Sequence, residues 1–321
     1  MKKLIVFGGG TGLSCLLSGL KQFPVEVTTV ITVSDNGSST GVLKQEFDIP
    51  AVGDVGKVLL AMANVDDDLL DLLSYRFRRE GSSLDNHPVR NILLTALIDL
   101  KGNLTEATRY MSRLLNIKGE VLPLTEERVD LVGRSRTGKR SFYGEESVSR
   151  NIRSIASLSY DHDIHISNAV KQGIANSDLI IFSPGSLYTS ILPHLIVDDI
   201  VDAICASKAP IMYVSNLVTQ PGETDRYNVS DHLKVLNRYL GDRRVEVVIS
   251  NNADIDPEIV SRYLESEGKT LVEMDRENVE ALGARIIEDG IFSIEDGRIR
   301  HDALKTAFLI FSYLMGSRDD A

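Results

Sequence analysis

LIVFGGGTGLSCLLSGL, Leu4 to Leu20, decides the reading. A strand-length apolar run enters three consecutive glycines, and beyond them leucines return at helical spacing. Glycines let backbone N–H groups approach an anion closely, and the first turn of the following helix adds unpaired donors with roughly half a positive charge. Strand, bare turn and helix in that order make a seat for a phosphate. The dinucleotide fingerprint G-x-G-x-x-G nevertheless fails: counted from Gly8 its last position is Leu13, and from Gly10 it is Cys15. Asp35, at the end of the next apolar run, stands at the spacing of a ribose-binding acid, so an NAD reading stays open beside a plain tight turn.

Outward from that stretch the pattern repeats. VEVTTVITVS (25–34), DLIIFS (178–183), PIMYVSN (210–216) and RVEVVISN (244–251) are β-branched and nearly continuous, as strands covered on both faces are. Segments of helical period lie between them, including VSDHLKVLNRYLG with Gly241 as its stop. The alternation predicts an α/β fold with a mostly parallel, doubly wound sheet and right-handed crossovers. Residues 54–116 instead carry about four helical segments in succession, a helical insertion that could cap one end of the sheet. Residues 117–147 (EVLPL, RVDLVGRS, KRSFYGEES) alternate around Thr137-Gly138 and predict an antiparallel β-hairpin insertion. The whole of 1–321 reads as one domain.

Composition narrows the partners. At 321 residues and 43% hydrophobic content the chain can bury a large core, and its net charge of −11 opposes nucleic acid and anionic lipid at long range. No apolar run reaches the ~18 residues of a membrane span, and Met1-Lys2-Lys3 leads into a strand instead of a signal-peptide core, so a cytoplasmic protein is expected. Cys15 and Cys205 sit in apolar helical contexts and read as small buried hydrophobes.

A phosphorylated ligand must therefore be held by local groups, and four further loops fall where the same crevice should open. Ser34–Gly41 (SDNGSSTG) offers Asp35, Asn36, Ser38 and Ser39, and looks too polar for a crossover helix. Gly53–Lys57 offers Asp54, placed as a helix N-cap. Ser183–Ser190 repeats the strand, glycine loop and helix start, with hydroxyls on Ser183, Ser186 and Thr189 flanking Pro184 and Gly185. Asn216–Asp225 (NLVTQPGETD) adds Asn216, Thr219 and Gln220 after another strand. No nucleophile stands beside a base. Gly133, Gly138 and Lys139 imitate an ATP loop, but Arg140 follows where Ser or Thr is needed, and the context is a hairpin. His162 and His165, among Asp161 and Asp163, are the metal-like cluster, against a solvated strand edge. Arg300 and His301 are expected to open the final helix, Arg300 facing a diphosphate and His301 capping; Tyr263 could stack on a base. His232 reads as a helix-surface residue.

GGGTGLS, TVSDNGSSTGVL, PAVGD, SPGSLYTSILP, VTQPGETDRY and the late IRHD together resemble the bacterial YvcK family, the gluconeogenesis factors, relatives of the CofD 2-phospholactate transferases. The resemblance spans essentially the whole chain. It implies a Rossmann-like core and a site for a UDP-sugar such as UDP-N-acetylglucosamine, with a role in cell shape, wall synthesis and growth on gluconeogenic carbon. It also implies self-association, for which the apolar helices of 54–116 could supply a face. In that reading Gly8, Gly9, Gly10, Thr11 and Gly12 with Ser183, Pro184, Gly185 and Ser186 hold the diphosphate, Asp35 and Asn216 orient hydroxyls, and Arg300 neutralises charge. Asn36, Ser38, Ser39, Asp54, Asn91, Thr219, Gln220 and Tyr263 complete the set. A CofD-like transferase is the alternative, with Asp35 and Asp54 holding Mg²⁺. Three departures bear on it. Asn36 stands where the family has a second carboxylate, which weakens a metal site; Gly56 and Lys57 stand where it has Arg-Asn; and Arg90 replaces a glycine before Asn91.

Overall fold

The computed structural model describes residues 1–316. In chain order the strands are β1 (Lys2–Gly8), β2 (Val25–Ile31), β3 (Glu120–Pro123), β4 (Leu131–Ser135), β5 (Ser141–Tyr143), β6 (Ile155–Tyr160), β7 (Leu179–Phe182), β8 (Ile211–Val214), β9 (Val247–Asn251), β10 (Arg285–Asp289), β11 (Phe292–Glu295) and β12 (Arg298–His301). Seven of them make one sheet in the order β10-β9-β8-β7-β1-β2-β3, and every pairing in it is parallel. The middle strands are sealed on both faces, which is why their sequences are continuous apolar runs: Leu4–Phe7, Leu179–Phe182 and Ile211–Val214 are all buried. Among the described residues no helix is long and apolar enough to cross a membrane.

The strand order sets the position of the site. From β1 the chain moves through helix α1 (Gly10–Leu20) to β2 and then β3; it later returns to β7 on the opposite flank of β1 and works outward to β10. The order thus reverses between β1 and β7. Crossovers leave these two neighbours in opposite directions, so a crevice opens beyond their carboxyl ends. Both glycine loops, after Gly8 and after Phe182, are at that point.

After β2 comes α2 (Ser38–Phe47), and the stretch 54–116 falls on α3 (Gly53–Met62), α4 (Asp67–Ser74), α5 (Val89–Lys101) and α6 (Leu104–Leu114), with α3 and α6 packed against β3. Several expectations need correction. SDNGSSTG is only half loop, because α2 begins within it at Ser38. EVLPL belongs to the main sheet: β3 pairs in parallel with β2, Thr28 opposite Glu120, and its last three residues are buried. The antiparallel hairpin is confined to β4 and β5, with β6 on its other side. Edge strand β10 and the β11–β12 hairpin escaped the sequence reading. Asp296-Gly297, both at positive φ, is the turn signal that marks that hairpin. Cys205 is exposed and Cys15 half-buried, both as free thiols. His232 is fully buried, stacked on Tyr213 with ring centroids 6.0 Å apart.

Candidate functional site

At the end of β1, Gly9 is extended (φ −162°, ψ 165°) and Gly10 takes φ +67°, a conformation that disfavours any side chain. No side chain caps α1, so its first-turn amides lack both a carbonyl one turn back and a hydroxyl or carboxylate in its place. Gly12 is needed for a different reason. A Cβ there would sit 2.1 Å from the backbone oxygen of Pro184 and 2.8 Å from its carbonyl carbon. The two glycine loops are therefore in direct backbone contact across the strand-order reversal, and the glycine required in the helix is the one that admits the β7 loop.

The cleft they bound has a volume of about 530 Å³ and is lined by Gly9–Gly12, Cys15, Pro184–Ser186, Ser190, Asn216–Gln220, Lys269 and Ile299–His301. Of the residues expected at the site, it brings together Gly9, Gly10, Thr11, Gly12, Pro184, Gly185, Ser186, Asn216, Thr219, Gln220 and Arg300. Asn216 grips Gly185 twice, accepting from its N–H at 3.0 Å and donating to its carbonyl at 2.8 Å. Thr219 donates its N–H to Thr270 O at 2.8 Å, and its hydroxyl accepts from Thr270 N–H at 2.9 Å. That pairing draws Lys269 to the cleft wall, a cation the sequence reading missed; its ammonium is 2.6 Å from Glu267. Arg300 stands at the rim on β12 with no ion pair among the described residues.

Other expectations change in detail. Arg300 and His301 end a strand, and the last helix, Ala303–Gly316, is started by Asp302, which accepts from Lys305 N–H at 2.9 Å. His301 donates from Nε2 to Ser215 O at 2.9 Å; burial outweighs that bond and drives its pKa down to about 4, so it is neutral at physiological pH. Tyr263 is buried, its hydroxyl accepting from Ile299 N–H at 2.6 Å. It braces β12 behind Arg300 and offers no ring face to a base. Burial is also the main cause lifting the Cys15 thiol to about 11, an unreactive value.

The hydroxyls expected to meet an anion are already committed. Ser183 is buried and donates to Pro184 O at 3.2 Å. Ser186 donates to the Glu223 carboxylate at 2.9 Å and accepts from Thr189 N–H at 3.0 Å and Thr189 Oγ1 at 2.7 Å. Glu223, a buried acid of the TQPGETD stretch, also accepts from Tyr188 N–H at 3.0 Å and so locks one loop to the other. Burial raises its pKa against the pull of these donors. Facing the cleft without a side-chain partner among the described residues are backbone amides, the Thr11 and Ser190 hydroxyls, the Gln220 amide and Arg300, while Lys269 is paired with Glu267.

Asp35, Asn36, Ser38, Ser39, Asp54 and Asn91 lie outside that cleft, on the α2–α3 side of the glycine turn. Asp54 is in the first turn of α3 and does not cap it: Oδ1 takes the Lys57 ammonium at 2.8 Å, while Oδ2 faces Gly9, 2.9 Å from where a Cβ would be. Asp35 accepts from Gly37 N–H at 2.9 Å. Glu145, another residue the sequence reading missed, is pushed up to about 7 by burial and by the Asp35 charge, despite a hydrogen bond to Thr189. Asn36 accepts from Glu146 N–H at 3.4 Å and packs on Gly144. Ser39 hydrogen-bonds His87 Nδ1 at 2.8 Å and accepts from Asn91 Nδ2 at 3.2 Å in a buried network away from the cleft, while Ser38 is exposed and Gly8 buried. Among the described residues no three His, Cys, Asp or Glu side chains are arranged to hold a metal ion. His162 lies 3.1 Å from both Glu127 and Asp161, and His165 3.6 Å from Asp199, so the metal-like cluster resolves into pairwise surface contacts. The departures at 56 and 90 meet in space: the Arg90 stem lies over Gly56, where a Cβ would be 3.1 Å from Cδ.

Comparison with known proteins gives the family and the fold. Residues 4–292 match the family model described as 2-phospho-L-lactate transferase CofD. The chain is 42% identical to the putative gluconeogenesis factor of Thermotoga maritima, covering 96% of this chain and 98% of that one. It is 38% identical to the gluconeogenesis factor of Bacillus subtilis, covering 97% and 98%. A crystal structure of a UPF0052 family member from Bacillus halodurans superposes with a TM-score of 0.91 at 37% identity, covering 97% of this chain and 99% of that one. The chain therefore belongs to the CofD family, among the members named gluconeogenesis factors.

Proposed function

We propose that the cleft at the strand-order reversal binds a nucleoside-diphosphate sugar such as UDP-N-acetylglucosamine, and that the protein acts through this binding as a cytoplasmic regulator of cell shape and wall synthesis on gluconeogenic carbon. One observation carries the reading: the uncapped first turn of α1 faces the Pro184–Ser186 loop in one cleft, with Arg300 and Lys269 on its wall. Bare amides at a helix start favour a doubly negative group, and the cations lower the cost of bringing it to a chain of net charge −11. Asn216 holds the second loop in place and leaves Gln220 beside it for hydroxyl groups. Isothermal calorimetry with UDP-N-acetylglucosamine tests the reading. Saturable binding that weakens strongly in Arg300→Ala supports it; no heat at millimolar ligand refutes it. The same reading has copies of the chain associate through α3–α6, which a sedimentation run checks.

A transferase is the second reading, favoured by the family match and by carboxylates gathered beside Gly9. The residues fit Mg²⁺ poorly. One oxygen of Asp54 is held by Lys57, Asp35 is engaged with Gly37 N–H, and the amide of Asn36 is turned onto Gly144. Release of a nucleoside monophosphate from a diphosphate-linked donor in the presence of Mg²⁺ would favour that reading over pure binding.

A further inference from the structure

We propose that Arg90, Arg76 and Lys57 form a second anion seat, on the α3–α5 side of the glycine turn, that takes a phosphate monoester distinct from the diphosphate ligand. The seat is built by backbone and does not rest on chance surface charges. Arg76 bridges Pro88 across the strap before α5, with Val89 N–H donating to Tyr75 O at 2.9 Å and Phe77 N–H to His87 O at 3.2 Å. This sets Arg76 beside the first turn of α5, where Arg90 stands and where Pro88 provides no side-chain cap. Gly56 clears the way for the Arg90 stem, which runs 3.1–3.3 Å from where a Cβ would be. Lys57 is the next residue on α3.

The charges call for a partner. Arg90 forms no ion pair among the described residues, and its buried Nε has no hydrogen-bond acceptor. A half-buried guanidinium without an acceptor is costly, and burial together with the Arg76 charge disfavours its charged form further. An acidic protein with 46 Asp and Glu residues has ample means to pair it and does not. Of the three cations only Lys57 has a carboxylate, Asp54. Arg76 donates to the carbonyl and Oδ1 of Asn86, both neutral, so two positive charges lack a carboxylate and Arg90 lacks any acceptor, which suits a dianionic phosphate better than a single carboxylate. Asp54 faces Gly9 with its other oxygen, so the seat adjoins the nucleotide cleft without sharing its donors.

The experiment is a thermal-shift titration of the full chain with inorganic phosphate at constant ionic strength, with and without saturating UDP-N-acetylglucosamine. The expected result is a saturable stabilisation by phosphate that persists with the nucleotide sugar present, is much weaker with acetate, and needs at least tenfold more phosphate in Arg90→Gln, whose nucleotide-sugar binding is unchanged. An unchanged phosphate titration in Arg90→Gln overturns the proposal. So do loss of the phosphate response when the nucleotide sugar is added, a response that never saturates, and an equal response to acetate. Should Arg90→Gln fail to fold, Arg90→Lys replaces it: it keeps the charge without the planar fork, and a wild-type titration there counts equally against the seat.

Discussion

Gly12→Ala separates a ligand cleft made of touching loops from one that merely contains glycines. The new Cβ would lie 2.1 Å from Pro184 O, against about 3.3 Å for an ordinary carbon–oxygen contact, so the loops must part by about 1 Å. Both partners are backbone, and neither can turn aside. Overpacking of this kind costs about 1–3 kcal/mol, while replacing a helical glycine by alanine returns about 1 kcal/mol. Net stability therefore falls by no more than about 2 kcal/mol, and the protein stays folded. Binding suffers more. A 1 Å separation carries hydrogen bonds of about 2.9 Å beyond bonding range, and losing two charge-assisted bonds removes about 3–6 kcal/mol, a roughly 100- to 10,000-fold loss of affinity. Calorimetry with UDP-N-acetylglucosamine, paired with urea unfolding of the same preparations, reads both quantities. A folded Gly12→Ala protein with wild-type affinity would refute the reasoning that the two loops jointly hold the ligand.

Other perturbations follow from the same geometry. Asn216→Ala removes both hydrogen bonds to Gly185, and we expect urea unfolding to show a loss of about 1–3 kcal/mol in stability and calorimetry to show weaker ligand binding as the loop is released. Tyr263→Phe leaves the buried Ile299 N–H without its acceptor; urea unfolding should show a loss of about 1–3 kcal/mol, with weaker ligand binding as Arg300 loses its brace. His194, fully buried with Nε2 3.2 Å from Gly8 O, has its pKa lowered by burial to about 4. Between pH 6.5 and 4 the unfolded chain binds a proton that the folded one refuses. Stability from this group is thus complete above about pH 6.5 and is lost as pH falls towards 4, by up to about 3 kcal/mol. Urea midpoints should drop across that window and flatten in His194→Gln; an equal slope in the two proteins would contradict the assignment.

What the sequence disclosed divides along a physical line. β1 and α1 were legible because an apolar run, three glycines and helical leucines are local signals, and β7, β8 and β9 because strands covered on both faces admit few polar residues. β3 was misassigned and β10 missed because a four-residue run such as EVLP fits either sheet, and an edge strand such as RIIED is only half-covered. In the candidate site, positions set by the backbone came together. The glycine loops and Asn216 lie on one cleft, since what they need is a turn at a strand end. Side-chain partners were not legible, because a hydroxyl's partner is chosen by the fold. Ser186 is engaged by Glu223, 37 residues away, and Lys269 reaches the cleft only because Val218 and Leu271 form a bridge. The Gly56–Arg90 contact has the same character. Each residue alone looks like an altered or missing charge, and only their packing shows one helix yielding room for a guanidinium carried by another. A polar residue in such a loop is therefore best read as a ligand contact only after its internal partners are known. By that standard Arg300 and the amides of α1 remain as donors for an anion, and Lys269 counts only in company with Glu267.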